Sequence, residues 1–174
     1  MRINDPTREE ILEELYLEGG VLYRRRRPLE RFARDRDWKT FSKRYADKPA
    51  GCVRQDRYVI IQFEKGKQYL AHRIIWILLR GEIPDGMHID HINGDPSDNR
   101  IENLRLATPL ENARNSKLPS DNKSGVKGVS QINATTWWAQ LSGRSLGYFS
   151  SLSDAEAAIR SVRDKAHGEF CRHQ

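Results

Sequence analysis

The chain has 174 residues, with 30 lysines and arginines against 24 aspartates and glutamates, a net charge of +6 and 37% hydrophobic residues. Its longest apolar run, residues 74 to 79, falls far short of the ~20 residues of a membrane-spanning helix, and two cysteines exclude a disulfide framework or a cysteine-rich zinc site. The N-terminus MRINDPTREE holds no apolar signal stretch, so the chain reads as a cytosolic protein, and its basic balance suits a nucleic-acid partner.

Thr7 followed by Glu10 is a capping box, and Ile11, Leu12 and Leu15 give the stripe of a short helix that Gly19-Gly20 should stop. An arginine-rich stretch, Tyr23 to Lys48, follows and contains Arg24, Arg25, Arg26 and Arg27 in a row. Residues 57–63 and 67–71 read as a β-hairpin around a Lys65-Gly66 turn. The segment HRIIWILLR, 72–80, reads as a short buried helix ended by Gly81. At KLPSDNKSG, 117–125, Pro119 and Gly125 break the pattern, and residues 113–174 beyond this region hold +4 of the net +6. The expected organisation is a helix and basic leader over 1–50, a central module over 51–116, a linker at 117–124 and a second module over 125–174. In that second module, residues 126–132, 136–142 and 144–150 read as three strands. A helix follows, capped by Ser153 with Glu156 three residues on, its face made by Ala155, Ala158, Ile159, Val162 and Ala166, and ended by Gly168.

The stretch 87–116 carries the chemistry. HIDH at 88–91 ends a strand, NGD at 93–95 makes a turn, and RIENLRLAT at 100–108 forms the returning strand. Thr108 then caps a helix, with Pro109 at its first position and Glu111 closing a capping box. A ribbon followed by a helix would bring Asp90, His91, Asn103 and Asn112 toward one point. A carboxylate, an imidazole and two amides suit a single magnesium ion, which prefers oxygen ligands and keeps several waters.

The pattern Asp90-His91, Asn99-Arg100, Asn103-Leu104 and Thr108 through Asn112, preceded by HRIIW at 72–76, resembles the phage-type HNH homing endonucleases over roughly residues 50–116. That resemblance implies an α+β fold containing a ββα-metal finger. It implies His91 as general base, Asp90 and Asn112 as ligands of a divalent ion, and Asn103 bonded to the His91 ring to hold its tautomer. It further implies 5′-phosphate and 3′-hydroxyl products. Asn112 stands where many relatives carry histidine, which favours Mg²⁺, with Mn²⁺ as a substitute, over zinc. Asp95 and Asp98 are the two nearby acids that could argue for a second ion. His88 reads as a support or phosphate contact, and His72 as structural.

The second module resembles the AP2/ERF-like DNA-binding domain through SGVKGVS at 124–130, WWAQL at 137–141 and SLGYFSSLSDAEAA at 145–158. This implies a three-stranded antiparallel sheet packed by one helix, its open face in the major groove. Lys127, Gln131, Gln140 and Arg144 are the expected contacts there, with one of Trp137 and Trp138; strand parity gives Trp137 to the core and Trp138 to DNA. Ser130 and Ser145 depart from the usual arginine and tryptophan. Arg24, Arg25 and Arg26 are expected to neutralise phosphates.

Together these features predict a homing-type endonuclease that hydrolyses phosphodiester bonds of double-stranded DNA. It would act as a monomer away from membranes, in the host cytoplasm if phage-encoded. One metal site per chain predicts cutting one strand at a time. Three readings compete: an AP2-type regulator with a vestigial finger, a less specific phage nuclease, and an RNA-directed enzyme.

Overall fold

Thr7 caps helix α1 (Arg8–Glu14) through a complete capping box with Glu10. The helix ends before Gly19-Gly20, because Leu15 already turns extended to begin strand β1 (Leu15–Glu18). The two glycines, with φ of 56° and 80°, instead make the turn into β2 (Val21–Arg24), as a tight hairpin requires. The computed structural model describes residues 5–63, 67–116, 118 and 121–171, and divides into two units, Met1–Ala107 and Thr108–Gln174. The expected Lys65-Gly66 turn lies outside the described residues, as does part of the expected linker.

The arginine-rich stretch contains a second helix, α2 (Asp35–Arg44), masked in the sequence by its charged residues. Strands β3 (Cys52–Val53), β4 (Val59–Ile61) and β5 (Tyr69–Leu70) form an antiparallel sheet in that order. Helix α3 (Ala71–Arg80) follows and stops at Gly81. The expected hairpin is therefore present with an added edge strand. Strands β6 (His88–His91) and β7 (Leu104–Ala107) pair antiparallel, with a 3-10 turn over Ile101–Asn103 that shortens the expected returning strand. Ile11, Leu15 and Leu22 join Ile61, Ile74, Ile75, Ile89 and Leu104 in one core.

The C-terminal unit starts with α4 (Pro109–Arg114), capped by Thr108 and boxed by Glu111 as its sequence predicts. Strands β8 (Val129–Asn133), β9 (Thr136–Leu141) and β10 (Arg144–Phe149) form an antiparallel sheet with β9 central. Helix α5 (Leu152–His167) packs on it through Ala155 and Ile159. Its cap is Ser151, which accepts from the Asp154 amide, rather than Ser153. Val162 is 39% exposed, whereas Arg163 is 1% exposed and donates to the Lys127 carbonyl. Gly128 lets these layers touch: a Cβ there would lie 2.5 Å from the Gln140 carbonyl oxygen and 2.6 Å from Ile159 Cδ1. The described chain is thus α+β with small antiparallel sheets.

Candidate active site

Strand β6 places three consecutive buried residues, Ile89, Asp90 and His91. Ile89 pairs with Leu106 and anchors the ribbon in the core. Asp90 lies directly across from Arg105, whose Nε donates to Oδ2 at 2.9 Å. This opposite-charge cross-strand pair gives the buried carboxylate a partner, without which its burial would be costly.

His91 meets a different set of neighbours. Its ring lies 4.9 Å from that of His72 and 5.9 Å from that of Tyr58, both edge-on. Its Nε2 sits 3.1 Å from Asn99 Oδ1. His72, on the first turn of α3, is buried with its Nδ1 lacking any hydrogen-bond partner. Burial pushes it down to about 3, aided by the charges of His91 and Arg73, so His72 is a neutral wall beside His91. Burial, followed by the charges of Asp56 and Asp90, raises Tyr58.

Asn103 does not make the expected bond to the His91 ring. Its Oδ1 accepts from the Asn93 amide at 3.0 Å, and its Nδ2 donates to Asn93 Oδ1 at 3.0 Å and the Asp98 carbonyl at 2.8 Å. Asn103 therefore clamps the two ends of the 93–103 loop, while Asn99, inside that loop, faces the imidazole. Asn99 belongs to the pattern quoted from the sequence but was given no role there. Its position eight residues past His91, in an Asn/Asp-rich turn, was the available signal.

Asp95 and Asp98 are engaged in the same loop. Hydrogen bonds from Ser97 hold Asp95 below the ordinary carboxylate range, and Arg57 pairs with it at 3.0 Å. Arg100 does the same for Asp98 and holds it far below that range. Neither is poised as a second-ion ligand. Among the described residues no three His, Cys, Asp or Glu side chains gather as a metal cage. The site's donor set in this unit is one carboxylate, Asp90, next to one imidazole. Asn112 lies on α4 of the other unit, half-buried, and His88 is exposed at the start of β6.

In the C-terminal sheet, register decides which side chains share a face, because cross-strand partners do. Ser130, Trp138 and Tyr148 stand in one row and Gln140 pairs with Ser145. Trp138 Nε1 donates to Ser145 Oγ at 2.9 Å. Gln131 instead pairs with Trp137, which packs on the α5 core, and Arg144 pairs with Leu141 on that same side. The bulge between Ser145 and Gly147 leaves Arg144 there. The Nζ of Lys127 donates to the Arg114 and Ser116 carbonyls beyond α4. Of the expected contacts, Trp138 and Gln140 occupy the face away from α5, while Gln131, Arg144 and Lys127 do not.

The N-terminal arginines are also partly used internally. Arg25 donates to the Leu15 carbonyl at 3.0 Å and Arg26 to Asp47 at 3.2 Å. Arg27 donates to Glu14 at 2.8 Å, and Arg24 reaches the Gln62 carbonyl at 2.8 Å.

The HNH endonuclease family matches residues 69–114, a span that holds α3, the ribbon, the clamped loop and α4. Protein 3.8 of Escherichia phage T7 is 38% identical over 115 residues, covering 64% of this chain and 93% of that protein. A protein of Acanthamoeba polyphaga mimivirus named as an uncharacterized HNH endonuclease is 38% identical over 73 residues, 42% of this chain and 38% of its own length. The SPbeta prophage-derived protein YosQ of Bacillus subtilis, named as an HNH homing endonuclease, is 42% identical over 50 residues, 28% of this chain and 29% of its own. This chain thus spans nearly all of the T7 protein and well under half of the other two. No solved structure matches.

Proposed function

Because this chain belongs to the HNH endonuclease family, and is a DNA endonuclease that hydrolyses phosphodiester bonds, we propose that His91 is its general base and Asp90 and Asn112 its metal ligands. The observation that carries this reading is the buried His91, held between His72 and Tyr58 with Nε2 on Asn99 Oδ1, one residue after a buried carboxylate.

With Asn99 Oδ1 as acceptor, Nε2 carries the ring proton and the lone pair sits on Nδ1, the nitrogen that takes a proton from the attacking water. As the water oxygen bonds to phosphorus, the bond to the 3′ oxygen breaks, giving 5′-phosphate and 3′-hydroxyl ends. His72 stays neutral and brings no charge of its own beside the His91 ring. Arg105 holds the Asp90 carboxylate in place through its hydrogen bond to Oδ2. HNH nucleases typically use a divalent metal ion, and a donor set of one carboxylate and one amide fits a hard ion that keeps its waters, Mg²⁺ or Mn²⁺ rather than zinc. Bound there, such an ion supplies charge stabilisation at the scissile phosphate.

The substrate is double-stranded DNA, cut one strand at a time by a monomer with one site, in the cytoplasm of the host cell. Among the described residues no helix is long and apolar enough to cross a membrane. The AP2-like reading of residues 125–174 makes the face of Trp138, Gln140 and Tyr148 the element that positions the enzyme on DNA, and the prophage relative named for homing supports a site-specific role. A second reading, a less specific phage nuclease, is favoured by the absence of charge in the rows Ser130–Trp138–Tyr148 and Gln140–Ser145. Phosphate contacts position a protein without specifying sequence, so that face has little with which to read bases bidentately.

The test is cleavage of a supercoiled plasmid carrying the gene's flanking DNA, with Mg²⁺, with EDTA and with His91→Ala. Relaxed circles that require both metal and His91 are expected, with a loss on the order of 10³-fold in the variant and retained DNA binding. Full-rate nicking by His91→Ala would remove His91 from the role of base.

A further inference from the structure

Strand β2, the end of α2 and the segment 45–52 enclose a cleft of about 700 Å³ with β4. Among the described residues, four cations line it, Arg24, Arg27, Arg44 and Lys48, and no acidic residue does. Arg27 is neutralised by Glu14 and lies over the Phe41 ring at 4.7 Å. The other three have no ion pair among the described residues. Arg24 donates to a backbone carbonyl, Lys48 Nζ to the Lys43 carbonyl at 2.7 Å, and Arg44 lies over Tyr45 at 5.8 Å. Like charges gathered without acids repel one another, and burial together with Arg27 holds Arg24 below its ordinary value. An anion entering the cleft relieves both costs.

We propose that this cleft is a DNA-strand groove, in which Arg24, Arg44 and Lys48 take backbone phosphates and Tyr45 takes an adjoining sugar or base face. It rests on DNA being the substrate, but locates binding in a part of the chain that the family match does not reach, since that match begins at residue 69. Three features favour a strand over a small anion. The cations come from three separate segments, β2, the last residue of α2 and the turn after it, rather than converging from one loop. The wall between them is aromatic: Tyr45 is 45% exposed and Phe41 lies beside it at 5.6 Å. A cationic trough with an exposed aromatic platform is the usual arrangement for tracking a nucleic-acid backbone. The walls are also fixed in advance. Arg24 N–H donates to the Lys48 carbonyl at 3.0 Å, Asp47 N–H to the Arg24 carbonyl at 2.8 Å, and Ala50 N–H to the Leu22 carbonyl at 2.7 Å.

The groove also reassigns the arginine run. Arg25 and Arg26, expected at the phosphates, are spent on Leu15 and Asp47. Arg44 and Lys48, which the sequence reading did not single out, complete the groove in their place.

The experiment measures binding by full-length protein carrying His91→Ala, so that chemistry plays no part. Fluorescence anisotropy is read on a labelled duplex across a range of salt concentrations, with inorganic pyrophosphate as competitor. The pair Arg44→Glu and Lys48→Glu should weaken binding at least ~10-fold and reduce the slope of log K against log salt by about two. The pair Arg44→Lys and Lys48→Arg should restore both. All four changes are at exposed positions, and equal thermal midpoints will show that the fold is intact. Unchanged affinity and slope in the charge-reversed pair would overturn the groove, as would absence of DNA binding by the parent protein. Pyrophosphate displacing DNA at equal charge concentration would overturn it in favour of a small-anion pocket. A failure of His91 as base appears separately, as nicking by the parent variant, and leaves the groove standing.

Discussion

The β6–β7 ribbon and the β8–β9–β10 sheet are both short antiparallel sheets, but they treat their polar side chains in opposite ways. In the ribbon Asp90, His91 and Asn103 are all buried, and each is engaged: Asp90 by Arg105, His91 by Asn99 and the His72 and Tyr58 rings, Asn103 by Asn93 and the Asp98 carbonyl. In the C-terminal sheet Tyr148 is 70% exposed, and among the described residues the Trp138–Ser145 bond is the one side-chain hydrogen bond across the open face. The difference matches two tasks. A proton transfer needs a base fixed in tautomer and direction before substrate arrives. A contact surface can keep its side chains in water and order them on binding. Buried polar groups are expensive unless satisfied, and here Arg105 on β7 answers Asp90 while the loop's Asn93, Asp98 and Asn99 answer Asn103 and His91.

The largest effect that can sharpen this contrast is pH-dependent. His72 sits near 3 in the folded protein, against about 6.5 when unfolded. Between those values the unfolded chain binds the extra proton, so stability is fully present above about pH 6.5 and falls as the pH drops. The cost should accumulate to ~2 kcal/mol between pH 6.5 and 5, and to ~4 kcal/mol near pH 3. Urea melts at pH 7 and pH 5 check it, since carboxylates titrate mainly below that window. His72→Phe keeps the aromatic wall, removes the orphaned Nδ1 and should flatten the dependence. An equally steep fall in that variant would place the acid sensitivity elsewhere.

Next in size is the loop clamp. Asn103→Ala leaves the Asn93 amide and the Asp98 carbonyl without their partner, at a cost of ~2–3 kcal/mol in unfolding free energy. Nicking should also fall, because Asn99 is carried on the loop that Asn103 closes. Asn103→Asp keeps the acceptor for the Asn93 amide but turns an acceptor oxygen toward Asn93 Oδ1 and the Asp98 carbonyl, so its stability should fall at least as far as that of the alanine variant. A thermal midpoint unmoved by Asn103→Ala would mean the ribbon is no more tightly tied than the open sheet, and the contrast would collapse.

How much of this was legible in the sequence follows from which physics acts locally. Capping boxes involve residues three apart, so Thr7 with Glu10 and Thr108 with Glu111 were readable and both form. The apolar run before Gly81 gave α3, and the parity of Trp137 and Trp138 gave the faces of β9. Helix α2 was hidden because its charged residues mask Trp38 and Phe41, whose packing depends on Arg27 from another segment. Gly19-Gly20 could end a helix or turn a hairpin, and the pairing of Leu17 with Leu22 decided it. The partner of His91 was misassigned for a similar reason. Two asparagines lie within reach of the same turn, and only the loop's closed shape tells which faces the ring. Lys127, Gln131 and Arg144 were grouped by being polar and close in sequence, whereas the bulge before Gly147 and the carbonyls beyond α4 set where they go.

The smallest expected effect is on the other side of the comparison. Trp138→Ala removes a half-buried aromatic and Tyr148→Ala an exposed one, both in a row with Ser130, so each should change unfolding free energy by about 1 kcal/mol at most. If the face contacts DNA, each should still weaken duplex binding by several-fold, since a stacked or edge-on aromatic contributes about 1–3 kcal/mol per base it meets. That combination, little change in stability with a measurable change in affinity, is the reverse of what Asn103→Ala should give. Affinity unchanged in both variants would remove the sheet from DNA contact, leaving the N-terminal groove and the ribbon as the binding elements. A large loss of stability would instead show that Trp138 and its bond to Ser145 hold the sheet together, making the open face structural like the ribbon.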